Sequence, residues 1–238
     1  MDRCLQDLEL GTSMKNMKSI AAGAFAGIII SIALPLTASA NIIDTTYGAG
    51  AGSFELGAHS GNAFDGLAVG STTITGWTVG GPGDGIDWLN EPSFNASAGV
   101  RSIDLQSNFA SSISTVISTV IGQTYKLTFD SAAVSPLQQS GTVSAGSLIG
   151  QAFAPAYSAA GTFATQVYEA FSFEFEALAT STTVSFFSDG TCCTGATYGP
   201  VIDNVSVVEA TAVSGPNALA IFGLGLASLG LARRRKAA

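Results

Sequence analysis

The stretch "AFSFEFEA" at residues 170–177 sets Phe171, Phe173 and Phe175 at every second position, with Ser172, Glu174 and Glu176 between them. A helix would scatter those three rings around its axis, whereas a strand puts them on one face. The same period runs through "TITGWTV", "GVRSIDLQS", "TYKLTFD", where Tyr125, Leu127 and Phe129 oppose Lys126 and Thr128, and through "TTVSFFS" and "VIDNVSVVE". Gly, Ser, Asn and Asp turns separate these runs about every ten residues, the rhythm of half-buried antiparallel strands in a β-sandwich or jelly roll. In "SISTVISTVI" (112–121) Ile113, Val116, Ile117 and Val120 fall at helical spacing, but the β-branched content favours a strand. Residues 76–99 and 135–165 are glycine-rich or loosely patterned and read as long connections.

Charge placement narrows the function. Only 11% of the chain is charged and 47% is hydrophobic, enough for a packed core. Between residues 41 and 213 only Arg101 and Lys126 are basic, against 14 acids, a formal charge of −12. Such a surface repels phosphate, so nucleic acid is excluded as a partner. Acidic clusters do suit hard cations such as calcium.

The two ends read as addresses. Lys15 and Lys18 precede an apolar run, Pro35 and the small-residue site Ala38-Ser39-Ala40, the pattern of an export signal cleaved after Ala40. At the other end Ala218–Ala232 would make about 22 Å of helix, short of the ~30 Å hydrocarbon core but a workable span once Arg233, Arg234, Arg235 and Lys236 snorkel. The expected division is therefore residues 1–40 as leader and signal helix, 41–210 as one all-β sandwich, and 211–238 as a transmembrane-like anchor. Export removes Cys4 and leaves Cys192-Cys193, open to a vicinal disulfide, to remaining plain thiols or to bonding with another molecule. Two cysteines and a single histidine do not make an ordinary zinc site.

The ordered motifs "GSFELG", "GSTTITGWTVGGPGDGIDWL", "GVRSIDLQS", "GQTYKLTFD" and "YGPVIDNVSV" resemble the DUF642-type domain of the choice-of-anchor C family over nearly all of residues 44–208. The resemblance implies a galactose-binding-like jelly-roll β-sandwich in an extracellular or wall-associated protein without established catalysis. Ala51 stands where that family's first motif usually has Asn. The ending is similar to the PEP-CTERM sorting signal of Gram-negative bacteria, with Val213-Ser214-Gly215-Pro216 in place of Val-Pro-Glu-Pro. It implies an exosortase-like sorting enzyme as partner and a cell-envelope or extracellular location.

The candidate sites follow. The resemblance places Glu55 and Asp203 at the ends of the first and last strands, where such sandwiches often hold structural Ca²⁺, with Asp44 and backbone carbonyls completing the ligands; the plain alternative is a turn-bonded Asp203 and a solvated Glu55. Trp77 reads as core. Trp88, in an acidic loop with Asp84, Asp87, Asn90 and Glu91, is the candidate sugar platform, flanked by Asp87 and Asn90. Asp87, Glu91 and Asp104 offer paired carboxylates for glycoside hydrolysis, but no Gly-x-Ser-x-Gly elbow or His-Glu-x-x-His is present, and His59 reads as a surface residue. The expected function is binding of envelope or matrix polysaccharide without catalysis; a structural surface protein and a hydrolase are the alternatives.

Overall fold

The alternating segments become paired strands in the computed structural model, which describes residues 39–136, 139–158, 163–190 and 198–210. The export signal up to residue 38, Cys192, Cys193, and the tail with Val213, Pro216, Arg233, Arg234 and Arg235 lie outside the described residues. Among the described residues no helix is long and apolar enough to cross a membrane.

Among the described residues a short helix α1 (Ile42–Tyr47) is followed by eleven strands: β1 (Phe64–Leu67), β2 (Thr78–Gly80), β3 (Ile86–Asn90), β4 (Arg101–Asp104), β5 (Ser112–Ser118), β6 (Thr124–Ala132), β7 (Gly141–Ala145), β8 (Leu148–Phe153), β9 (Tyr168–Glu176), β10 (Ser181–Ser188) and β11 (Val201–Glu209). They form a six-stranded sheet, β1-β3-β4-β11-β6-β9, and a five-stranded sheet, β2-β5-β10-β7-β8, with every strand pair antiparallel. The sequence expectation of an all-β sandwich holds.

The inner faces follow the alternation. Phe171, Phe173 and Phe175 of β9 pair in register with Phe129, Leu127 and Tyr125 of β6. Phe129 is the hub: its ring lies 5.4 Å from Phe171, and 5.0 and 4.9 Å from Phe153 and Phe186 of the facing sheet. Strand β5 buries Ile113, Thr115 and Ile117 and exposes Val116, which settles the helix-or-strand ambiguity by period two.

Two expected long loops contain strands. The segment 76–99 carries β2 and β3, because Gly81 and Gly85 take positive φ between them and let the chain pass from one sheet to the other. The alternation of β3 is hidden because Leu89, on its outer side, is buried as well as Ile86 and Trp88. The segment 135–165 carries the β7–β8 hairpin, whose small residues give little periodic contrast.

Asn41 anchors the start of the sandwich. Its Oδ1 accepts from the Ile43 N–H as the helix cap and from the Val207 N–H, and its Nδ2 donates to the Val205 carbonyl. Gly52 sits against the same strand, where a Cβ would fall 2.2 Å from the Val205 oxygen.

Candidate functional site

Trp88 does not offer a sugar platform. It points inward from β3 with 0% of its surface exposed, its Nε1 donating 3.1 Å to the Phe54 carbonyl. The Arg101 guanidinium lies 4.9 Å over the ring, and the His59 imidazole meets it edge-on at 4.7 Å. A ring covered in this way cannot stack on a ligand, so the expectation is corrected. Strand parity explains it: Trp88 lies on the core side with Ile86, whereas Asp87 faces outward. His59, expected at the surface, has a buried side chain whose Nε2 lies 3.0 Å from the Trp88 carbonyl. Trp77 is core as expected, 2% exposed, with Nε1 donating 2.8 Å to the Ala51 carbonyl. Asn90 donates to the Asn62 carbonyl and ties β3 to the turn before β1.

Glu55 and Asp203 both hold the loop that precedes β4. Glu55 Oε1 accepts from the Val100 and Arg101 N–H groups at 2.8 and 2.9 Å. Asp203 Oδ2 accepts from the Ser97 and Ala98 N–H groups at 2.7 and 2.8 Å and from Ser97 Oγ, while Oδ1 accepts from the Asn204 N–H. Calcium asks for six to eight oxygen ligands. Here backbone N–H donors engage Glu55 Oε1 and both Asp203 oxygens, and Asp44 Oδ1 accepts from the Gly52 N–H. Among the described residues no three His, Cys, Asp or Glu side chains group for a metal. As arranged, Glu55 and Asp203 clamp the loop before β4 through its backbone N–H groups.

The outer face of the six-stranded sheet gathers carboxylates and aromatic rings. Register places Asp87 directly opposite Asp104, and Asp203 opposite Asp130, on that face. Between them Leu89, Ala132 and Val201 form a second small apolar cluster with Phe94, Val134 and Tyr168 against it. Two segments cover the cluster, bound reciprocally: Asn95 Nδ2 donates to the Gln166 carbonyl, and Gln166 Nε2 and Tyr168 OH both donate to the Asn95 carbonyl. Burial raises the carboxyl pKa of Asp87 to about 6 and that of Asp203 to about 7, outweighing the hydrogen bonds each accepts. Asp104, 3% exposed and bound by the Gln106 and Gly199 N–H groups, is held well above the ordinary carboxylate range, by burial first and the neighbouring Asp87 charge last.

Along this face runs a chain of rings from four separate segments. Phe64 of β1 meets Phe94 at 6.4 Å, Phe94 meets Phe163 at 5.4 Å, and Phe163 meets Tyr198 at 5.2 Å. Phe64 is 49% exposed and Phe163 and Tyr198 each 36%, so the row is accessible as well as contiguous. Sequence reasoning missed all four. The available signal was an aromatic in turn-rich sequence with no period-two partner, as in "GNAFDG" and "EPSFNAS".

The family described as protein of unknown function (DUF642) matches residues 50–208, and the chain belongs to it. No curated protein matches the chain. Among solved structures it is similar to a family 35 carbohydrate-binding module from Clostridium thermocellum, at 9% identity and a TM-score of 0.40, over 61% of this chain and 99% of that one. It is similar also to a family 35 module from Paenibacillus barcinonensis, at 17% identity and a TM-score of 0.38, over 57% and 94%. A third, the family 35 module of Abf62 from Cellvibrio japonicus, stands at 14% and 0.40, over 57% and 94%.

Proposed function

We propose that this DUF642-family chain is an exported, non-catalytic β-sandwich that binds envelope or matrix polysaccharide through the aromatic row Phe64–Phe94–Phe163–Tyr198. The observation that supports it is the row itself: contiguous, exposed rings on the sheet face that also carries the half-buried carboxylate of Asp87. Sugar rings present C–H faces that pack on aromatic faces, and hydroxyls that need acceptors; rings and carboxylate supply both. A purely structural surface protein gives such a patch no task, since contiguous exposed apolar surface marks an interaction site. In the same proposal residues 1–40 direct export. The tail 211–238 is the address read by an exosortase-like enzyme at a Gram-negative inner membrane, leaving the sandwich outside.

Glycoside hydrolysis is the competing class, because Asp87 and Asp104 face each other with raised pKa values. Against it, Asp104 is almost wholly buried and its Oδ1 is held by two backbone N–H groups. Screening the full chain on a glycan array separates these outcomes. Selective retention that falls about tenfold in Phe163→Ala and Phe64→Ala supports the row, one stacked ring being worth about that factor. Retention that both variants leave unchanged refutes the row, and release of shortened glycan refutes the non-catalytic assignment.

A further inference from the structure

The end of the sandwich where β11 finishes carries an apolar tip. Two turns meet there, residues 119–123 between β5 and β6 and residues 177–180 between β9 and β10. Hydrogen bonds lace them together. The Thr119 N–H donates to the Thr180 carbonyl, the Gly122 N–H to the Ala177 carbonyl, and the Ala177 N–H to the Gln123 carbonyl. The Val120 N–H donates to the Tyr125 hydroxyl, and the Gln123 N–H closes the first turn on the Val120 carbonyl. Gly122, with a φ of 78°, takes the third position of that turn, as type II requires, and Ile121 stands at its corner. Such corners ordinarily carry Pro, Gly, Asn, Asp or Ser. Here Val120, Ile121 and Leu178 are 61%, 64% and 63% exposed, and neither turn contains a charged residue. Single exposed aliphatic side chains are ordinary, but three on two bonded turns form a patch that marks a contact surface.

The path of the chain points to the partner. Past β11 the Ala210 N–H donates to the Thr124 carbonyl, and Gln123 Nε2 donates to the Ala210 carbonyl, so the chain leaves the sandwich beside this tip. Residues 211–217 then lead to the apolar run 218–232 and the basic cluster 233–236. Even fully extended, the step from residue 210 to residue 218 spans at most about 28 Å. We infer, resting on the reading of residues 211–238 as a membrane anchor, that the Val120–Ile121–Leu178 tip docks on the lipid bilayer that holds the tail. The N–H groups of Thr119, Val120, Gly122 and Gln123 are already satisfied within the protein, which lowers the cost of bringing this backbone to a water-poor interface. The nearby charges, Lys126, Glu174, Glu176 and Glu209, are exposed on the strands behind the turns. Three of the four are acidic, so the contact is apolar in origin and favours zwitterionic over anionic lipid. Phe163 and Tyr198 precede β9 and β11, whose other ends run into the tip. Strand β11, with nine residues, is about 30 Å long, so a docked tip holds the aromatic row away from the bilayer.

The test puts a fluorescent reporter at the tip. Trp77 and Trp88 are buried, so Ile121→Trp adds an exposed indole against a quiet background. The full chain carrying it is reconstituted into phosphatidylcholine vesicles, with and without bromine on the upper part of the acyl chains. Bromine should quench the added indole strongly. Phe109→Trp, 67% exposed in the wild type and placed before the other end of β5, should not be quenched. Adding Val120→Ser and Leu178→Ser to Ile121→Trp should lower the tip's partition into lipid by about tenfold each, read as lost quenching at unchanged vesicle binding. Vesicle binding without quenching at Ile121→Trp overturns the tip contact and leaves the reading of 211–238 untouched, whereas absence of vesicle binding overturns both. A blue-shifted emission that bromine does not quench shows the tip covered by the tail or by a second copy, and overturns the inference. Equal quenching of Phe109→Trp overturns it as well, because the sandwich then has no preferred end at the membrane.

Discussion

Replacing Asp203 by Asn should flatten part of the protein's pH–stability profile. Asp203 is fully buried, and burial holds its carboxyl pKa at about 7 against an ordinary 3.8, despite the Ala98, Asn204 and Ser97 donors. The folded protein therefore keeps a proton there that the unfolded chain has already lost. Through this group stability is highest below pH 3.8, falls as pH rises toward 7, and is level above about 8. At 1.36 kcal/mol per pKa unit, linkage between pH 5 and pH 7 removes about 2 kcal/mol from the wild type relative to Asp203→Asn, which has no proton to lose. Asp87 and Asp104, whose pKa values are also raised, tilt both proteins alike and cancel in the difference. The assay is urea unfolding of both proteins at half-unit pH steps from 5 to 9 in EDTA. At pH 5 the protonated acid and the amide are near equivalents, each with one carbonyl oxygen for the Ser97 and Ala98 N–H groups. Parallel profiles would refute the reasoning. A wild type that gains on the variant as pH rises would show that the N–H donors outweigh burial and hold the carboxylate ionised.

Two further outcomes follow from the same geometry. Adding calcium or EDTA should leave the thermal midpoint of the full chain unchanged, because Glu55 and Asp203 are occupied by backbone donors; a calcium-dependent rise would show that the clamp rearranges around an ion. Gly52→Ala should cost about 2–3 kcal/mol in urea unfolding, since its Cβ would meet the Val205 oxygen at 2.2 Å and Asn41 Nδ2 at 2.7 Å; wild-type stability would mean that β11 yields at that point.

The sandwich was legible because period two is a local property. Phe171, Phe173 and Phe175 must share a face of their strand, and Tyr125, Leu127 and Phe129 a face of theirs, so two apolar strand faces were written before any pairing was known. The order of short motifs likewise identified the family that residues 50–208 match. The β7–β8 hairpin escaped because Gly, Ala and Ser alternate without contrast, and β3 because both of its faces are covered.

The candidate site depended on tertiary structure throughout. Asp203 and Glu55 were singled out together, but composition could not show that the loop at 97–101 would bring backbone N–H donors to both. Trp88 looked available in a glycine-rich acidic loop; one residue of strand parity turned it into the core and turned Asp87 out. Phe64, Phe94, Phe163 and Tyr198 are separated by up to 134 residues and become a row only when segments 91–100 and 163–167 fold over the outer sheet face. Sequence by itself determines which side chains share a face, because that follows from backbone geometry over a few residues. Which face stays open to solvent is decided by distant segments that cover one side and leave the other bare.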